Sequence, residues 1–546
     1  MSGAEQVPTR LTDLNPSPNT QHPALPSWCE RRRGGSAILL VAPHGGRRPA
    51  IDASAPPPNL RVNDVYTPEL TRLLAGRLDA GVIINHGMDR NQLDLNRTSQ
   101  VRRQAPWFLQ LLTQEIGAIV ARHGRAEVLF IHGWNTGQPK CDIGIGAIET
   151  ADGLHVPAEA ALTVGEPYLA ERITPLRAAC VEAGVVASLG ERYPASHRNN
   201  LLQVFTPRGQ QLDDPHARQL ATWAAGGSVQ AVQLELGIPL RWPGVWRDRL
   251  TAAIVASFHP ATRGVPSAPV APRPTAPRAA AASLQFYDAA ADIGIFAGAG
   301  RVGPRSTGGR LLFFLGGQRI ALFTGDDVHG GHVEPLRLEP SGTNLRLRFA
   351  GPTLQLDDAA VYLDLEAALA ASRLVDATVD LDFQPASATA DGPQFGRVRG
   401  RLAVGERRAD IDAGGFANAA ALRASGSGQQ TMIAADFGAA GALLSRHTSD
   451  GARAAIWQRT DAAAQSLAGG RIAVTPDGDT YTPRLIELHH DGSAPLRAWP
   501  QSRMGILRPA ANGAYMRVTF GVARCAWGAH DGWGLYEHAV PLSRPE

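Results

Sequence analysis

The stretch AILLVAPH (residues 37–44) is a run of six apolar residues closed by Pro43 and His44. A run of that length and composition suits a strand buried on both faces that ends in a loop, here PHGG (residues 43–46). Outward from it, TPELTRLLAGRLDA (67–80) spaces Leu70, Leu73, Leu74 and Leu78 as a helix does, with Thr67-Pro68 as cap and first turn. GVIINHG (81–87) reads as the next strand. PWFLQLLTQEIGAIVARHG (106–124) is an amphipathic helix closed by Gly124, and EVLFIHG (127–133) is a strand. ERITPLRAACVEAG (171–184), VVASLG (185–190) and VQAVQLELG (229–237) continue as helix, strand, strand. This alternation predicts an α/β domain over residues 36–258, a mostly parallel sheet with helices on both faces.

The pattern changes after PATRGVPSAPVAPRPTAPRAAAAS (260–283), where six prolines are separated by small residues and arginines. Such a segment lacks ladder donors and an apolar face, so a semi-rigid spacer is expected over residues 259–283. Beyond it the periodicity is two. RLLFFLGGQRIALFTG (310–325) reads as a hairpin about Gly316-Gly317. NLRLRF (344–349), TLQL (353–356), ATVDLDF (377–383) and AYMRVTFGV (514–522) read as strands, with a helical piece at 364–371. Residues 284–546 are therefore expected to be all-β: one large or two small antiparallel barrels or sandwiches. Residues 1–35 are read as an arm.

Composition bounds the function. The 546 residues are 44% hydrophobic and 19% charged, enough apolar content for sizeable cores. The 58 glycines and 40 prolines are about 18% of the chain against an ordinary value of about 12%, which predicts many turns. A net charge of +3 is no electrostatic footprint for nucleic acid or an anionic membrane, and four cysteines do not make a disulfide scaffold. The early apolar run is too short for a secretory core of about 7–15 residues or a membrane helix of about 18 or more. A soluble, cytoplasmic protein with no membrane span is expected.

In α/β sheets ligands sit beyond the carboxyl ends of the strands. His44, His132 and Glu235 all lie at such ends. Two imidazoles with a carboxylate suit zinc hydrolysis: the imidazoles hold the ion, and the carboxylate takes a proton from its water. DRNQLDLNR (89–97) offers Arg90 and Arg97 as planar clamps for a substrate carboxylate, with Asp94 and Asn96 to orient them.

APHGG, DVYTPEL (64–70), DRNQLDLNR, LFIHGWNTGQPKCDIGIG (129–146) and VQAVQLELG occur in the order of the N-formylglutamate amidohydrolase family, which residues 36–258 resemble. At greater distance they are similar to the zinc carboxypeptidase-like superfamily. The resemblance implies one zinc ion on His44 and His132, Glu235 as general base, and Arg97 with Arg90 as the anchor for an acidic small molecule. The superfamily pattern has a ligand glutamate three residues after the first histidine, where Arg47 stands here. Asp64, in a block the family shares, is then the expected third ligand. The family's acidic residue before the second histidine is also missing, since Phe130-Ile131 stand there.

Cys141 is expected to be buried and structural, with Asp142 and the following glycines in a loop near the pocket. His197, in YPASHRNN, falls where a substrate-binding loop would fit. DIGIFAGAG (292–300) lacks the GxGxxG pattern followed by a helix and is not read as a dinucleotide site. DVHGGHVE (327–334) reads as an exposed loop more readily than a metal site. WGAHDGWGLYEHAV (527–540) resembles the closing segment of lipocalin-like barrels related to carotenoid hydratases, which implies an apolar ligand for that half. Two functions follow. One is zinc-dependent hydrolysis of an N-acyl amino acid, N-formyl included, or of a related small carboxylate-bearing amide. The other is a non-catalytic carboxylate-binding domain joined to a lipid- or pigment-binding barrel.

Overall fold

The computed structural model describes residues 25–51, 60–259, 282–303, 306–327, 333–386, 393–418, 429–448, 453–458, 465–467, 471–477, 482–490, 493–509 and 515–542. Residues 1–24 of the expected arm and residues 260–281 of the expected spacer lie outside them.

The strands of the first half are β1 (Cys29–Arg32), β2 (Ile38–Ala42), β3 (Gly81–Asn85), β4 (Ala126–Trp134), β5 (Lys140–Gly144), β6 (Ile148–Thr150), β7 (Gly153–His155), β8 (Val186–Leu189) and β9 (Val229–Gly237). Seven of them form one sheet in the order β1-β3-β2-β4-β9-β5-β8. Its centre, β3-β2-β4-β9, is parallel, while β1 and β5 run antiparallel to their neighbours β3 and β9. Alternation along β2 sends Ile38, Leu40 and Ala42 to one core and Leu39 and Val41 to the other. Helix α1 (Thr67–Leu78) and the helix Val245–Phe258 cover the first face. Helices Pro106–His123 and Pro215–Ala225 cover the second.

Two segments differ from the sequence reading. Cys29–Arg32, expected within the arm, is the edge strand β1, and Asp142 and Gly144, expected in a loop, lie in the fully buried strand β5. Lys140 and Asp142 are tolerated inside because each has partners. Lys140 pairs with Glu191 at 2.6 Å. Asp142 accepts hydrogen bonds from the Ser188 hydroxyl and from the N–H groups of Glu191, Arg192 and Tyr193.

The second half is all antiparallel. Strands β10 (Ala282–Asp288), β11 (Ile293–Gly303), β12 (Ser306–Phe314), β13 (Ile320–Asp327), β14 (Arg337–Ser341), β15 (Asn344–Leu356), β16 (Arg373–Pro385), β17 (Gln394–Val404) and β18 (Arg407–Ala417) form one sheet. Pairing of β13 with β15 closes eight of them into a barrel, and β14 is an added hairpin strand on β15. The predicted hairpin is β12–β13, turning through Gly316 (φ 83) and Gly317 (φ 56), conformations that favour glycine. The segment DIGIFAGAG falls in β11 and the turn before it. The barrel carries its own hydrophobic core, which includes Phe286, Phe313, Phe323, Phe349 and Phe383. A second sheet of ten strands between Gln430 and Pro541 stays open as a half-barrel. Its ends are the short strands Gln465–Ser466 and Arg471–Pro476. WGAHDGWGLYEHAV forms the turn and last strand of its long closing hairpin, Tyr515–Trp527 with His530–Pro541.

The two halves meet directly. Val62, Val65, Tyr66, Ile238 and Trp242 share a hydrophobic cluster with Phe314, Leu354, Leu356 and Leu369 of the β-rich half. Gly137 N–H donates to the Thr324 carbonyl at 2.6 Å, and Gln138 Nε2 donates to the Glu334 carbonyl at 2.6 Å. No helix among the described residues is long and apolar enough to cross a membrane.

Candidate metal centre and active site

The site lies beyond the carboxyl ends of β2, β4 and β9. His44 follows β2 by two residues, His132 is in the last part of β4, and Glu235 is in the last part of β9. On β4, Val128 and Phe130 belong to the second-face core, and His132 is the next residue on that row. On β9, Val229 and Ala231 are followed in the same way by Gln233 and Glu235. Each row starts apolar in the core and turns polar where it opens into a cleft of about 760 Å³.

The structure brings His44, Asp64 and His132 together. The two Nδ1 atoms are 3.1 Å apart, and Asp64 Oδ2 lies 3.3 Å from His44 Nδ1 and 3.2 Å from His132 Nδ1. All three residues are buried. Three donors in a near-equilateral triangle suit one ion, because tetrahedral ligands about 2.0–2.1 Å from zinc lie about 3.3 Å from each other. These residues can hold a metal ion. Arg47, at the position of the expected ligand glutamate, is exposed, and Asp64 reaches the site instead, its N–H bonded to the His44 carbonyl at 2.8 Å.

The proton positions follow from the partners. Asp94 Oδ1 is 2.6 Å from His44 Nε2, so this nitrogen carries the hydrogen and Nδ1 presents its lone pair to the centre. The sequence reading gave Asp94 to the arginines; its main partner is a histidine fifty positions earlier. Burial works against the Asp94 charge, yet His44, Arg90 and the Asn96 N–H hold its carboxyl well below the usual carboxylate range. Burial likewise opposes Asp64, and Arg90 with the two histidines holds it well below that range. His132 is pulled down to about 4 by burial, with Asp64 acting in the opposite sense. Its Nε2 is buried and makes no hydrogen bond among the described residues, so nothing replaces the acidic partner that Phe130-Ile131 leave out.

Glu235 is pushed well above the usual range, first by burial and then by the Asp64 charge. Gln233 orients it. Gln233 Nε2 donates to Glu235 Oε1 at 2.9 Å, while Gln233 Oε1 accepts from Asn200 at 3.0 Å and Asn96 at 3.3 Å. Gln233 was not found from sequence, although its place two residues before Glu235 on a strand was a usable signal. Behind the site the buried Arg241 donates to the carbonyls of Val65 and Trp134, and burial pulls its pKa down to about 10. A Cβ at position 133 would lie 2.4 Å from Arg241 Nη1 and 2.9 Å from Asp64 Cβ, which is why a glycine follows His132.

The arginines divide. Arg90 Nη1 donates to Asp64 Oδ1 at 3.0 Å and to the Val62 carbonyl at 3.3 Å, so it orients a ligand-forming carboxylate. Arg97 lines the cleft with its side chain one-third exposed, 3.5 Å from Asp94. Arg61, missed from sequence, donates to Asp94 Oδ2 at 2.8 Å and also lines the cleft. Asn96 lines it too, with Oδ1 buried and without a partner among the described residues. His197 and Arg192 stand in the cleft wall, both exposed. Cys141 is fully buried, and burial raises its thiol well above its ordinary value, which suits a structural role. In the β-rich half, His329 and His332 lie outside the described residues. His538 is buried with Nδ1 2.8 Å from the Thr431 hydroxyl.

No family model matches the chain, and no curated protein matches it. Solved structures similar to it include an N-formylglutamate amidohydrolase from Ralstonia eutropha, at 14% identity over 42% of this chain and 95% of that one, TM-score 0.28. A kievitone hydratase from Nectria haematococca is 13% identical over 48% of this chain and 88% of that one, TM-score 0.31. A candidate AttH from Nitrosomonas europaea is 12% identical over 47% and 90%, TM-score 0.30. At these values none of them carries a residue role or an activity over to this chain.

Proposed function

We propose that this protein is a zinc-dependent hydrolase of a small carboxylate-bearing amide, an N-acyl amino acid being the simplest such substrate. The observation that supports it is the triangle of His44 Nδ1, Asp64 Oδ2 and His132 Nδ1 at 3.1–3.3 Å, with His132 the register partner of Glu235, a carboxyl of raised pKa. A bound zinc ion supplies a Lewis acid and a water acidified to a pKa of about 7. Glu235 serves as base and then returns the proton to the leaving amine; its raised pKa brings it closer to neutrality, where a general base and acid work best. Gln233 fixes the direction of the Glu235 carboxylate. Asp94 keeps the His44 lone pair turned inward. Arg97, with Arg61 beside it, receives the substrate carboxylate.

Arg47, in place of a ligand carboxylate, is the residue that would favour the non-catalytic alternative. That side chain is exposed and leaves the ligand triangle complete without it. Metal analysis of the purified protein, with zinc supplied, tests the reading. About one zinc per chain is expected, lost in His44→Ala and His132→Ala. A wild-type protein that takes up no metal ends the proposal.

A further inference from the structure

We infer that Glu366, on the β-rich half, is a positioning residue for the metal-binding loops of the α/β half; this rests on the reading that His44, Asp64 and His132 hold a metal. Glu366 is in the first turn of the short helix Leu365–Ala371, whose cap, Asp364, accepts from the N–H groups of Glu366 and Ala367. Its carboxylate is buried against the other half. Oε1 accepts the Arg48 N–H at 3.0 Å. Oε2 accepts the Asn63 N–H at 3.0 Å, Asn63 Nδ2 at 3.0 Å and Arg48 Nε at 3.3 Å. Arg48 also pairs with Asp364.

These partners are placed where they matter. Arg48 is four residues after His44, and Asn63 is the residue before Asp64. One carboxylate therefore ties together the loop that carries one ligand and the loop that carries another. Asn63 passes the constraint on. Its Oδ1 accepts the Arg90 N–H at 3.0 Å, its Nδ2 also reaches Asp89 at 2.9 Å, and the Arg90 guanidinium in turn holds Asp64 Oδ1. The flanking residues Val62, Val65 and Tyr66 pack into the shared hydrophobic cluster. Tyr66 sits in the left-handed region at φ 68 with its ring 4.6 Å from that of Trp242. Across residues 62–66, Val62, Asn63, Val65 and Tyr66 contact residues of that shared boundary, and Asp64 turns to the histidines. Groups that orient metal ligands typically change affinity 10–100-fold when removed.

The same boundary has a contact that touches neither loop, Gln138 with the Glu334 carbonyl and the Asp326 N–H, and this provides the control. Zinc release from the full-length protein to a chromophoric chelator is measured for wild type, Glu366→Gln, Glu366→Ala and Gln138→Ala. Amide hydrogen exchange over residues 60–66 is followed in the zinc-free proteins. Glu366→Ala should release zinc about tenfold faster or more and exchange faster at 62–66. Glu366→Gln should fall between it and wild type, because its amide oxygen still accepts from Asn63, and it carries the test if the alanine variant does not fold. Gln138→Ala should release zinc at the wild-type rate. Wild-type release and exchange in both Glu366 variants, or equal acceleration by Gln138→Ala, overturns the inference. A wild type that binds no zinc, with faster exchange at 62–66 in the Glu366 variants, sinks the metal reading and leaves the positioning role standing.

Discussion

His132 and Glu235 stand directly opposite each other as register partners on the parallel strands β4 and β9. A sheet fixes such a pair more tightly than loops do, so ligand and base keep one spacing. Replacing Glu235 by Gln should lower kcat about 10²–10⁴-fold while zinc content stays at the wild-type level. The same variant has a pH signature in zinc-free protein. The folded Glu235 carboxyl is raised above its unfolded value of about 4.5. Below that value it is protonated in both states; as pH rises past it, ionisation favours the unfolded chain. Urea midpoints should therefore show Glu235→Gln gaining on wild type from pH 5 upward, and parallel curves would refute the assignment.

Asp94→Asn leaves the shape of the site intact but takes the charge away from His44 Nε2. Zinc affinity should fall about 10–100-fold. Competition with a chelator of known affinity measures this directly, and an unchanged constant would show that the 2.6 Å contact does not orient the imidazole.

Zinc-free protein should lose stability on mild acidification through His132. Its folded pKa of about 4 lies below the unfolded 6.5, so the unfolded chain takes the proton first. This contribution is complete above about pH 6.5 and is lost as pH falls towards 4. His132→Asn should flatten the dependence of Tm on pH over that window, as read by circular dichroism.

Arg97 and Arg90 should separate in kinetics. Arg97→Ala is expected to raise KM about tenfold or more with kcat and zinc content little altered, as removal of a carboxylate anchor does. Arg90→Ala should instead lower zinc content, since its guanidinium holds Asp64. Reversed outcomes would exchange the two roles.

Much of this was legible along the chain because β2 and β4 are mainly apolar runs and β9 keeps an apolar alternation, with His44, His132 and Glu235 toward their ends. His44, His132 and Glu235 stand out for that reason, and so does the Gly316-Gly317 hairpin. Strand β5 was not legible, because Lys140 and Asp142 break its apolar run and their partners, Ser188 of β8 and residues 191–193, come some fifty residues later. Asp94 was legible only in part for a related reason. Its pair with Arg97, three residues on, is local, and only the fold shows the closer histidine. The meeting of the two halves leaves no mark in a sequence at all, since Glu366 reads as one more acidic residue in the first turn of a helix.

The open half-barrel bears on how the protein behaves at high concentration. A closed barrel exposes no unpaired ladder, whereas an open sheet presents two borders at which a second chain can add a strand. Among the described residues, one border of the main ladder ends on a strand of two residues, the other, Arg471–Pro476, starts with a charge and ends in a proline beside a register shift, and the side strand Met504–Pro509 lies against Leu363. Short, charged or proline-ended borders are poor templates for strand addition, so self-association through the two ends of the ladder is disfavoured.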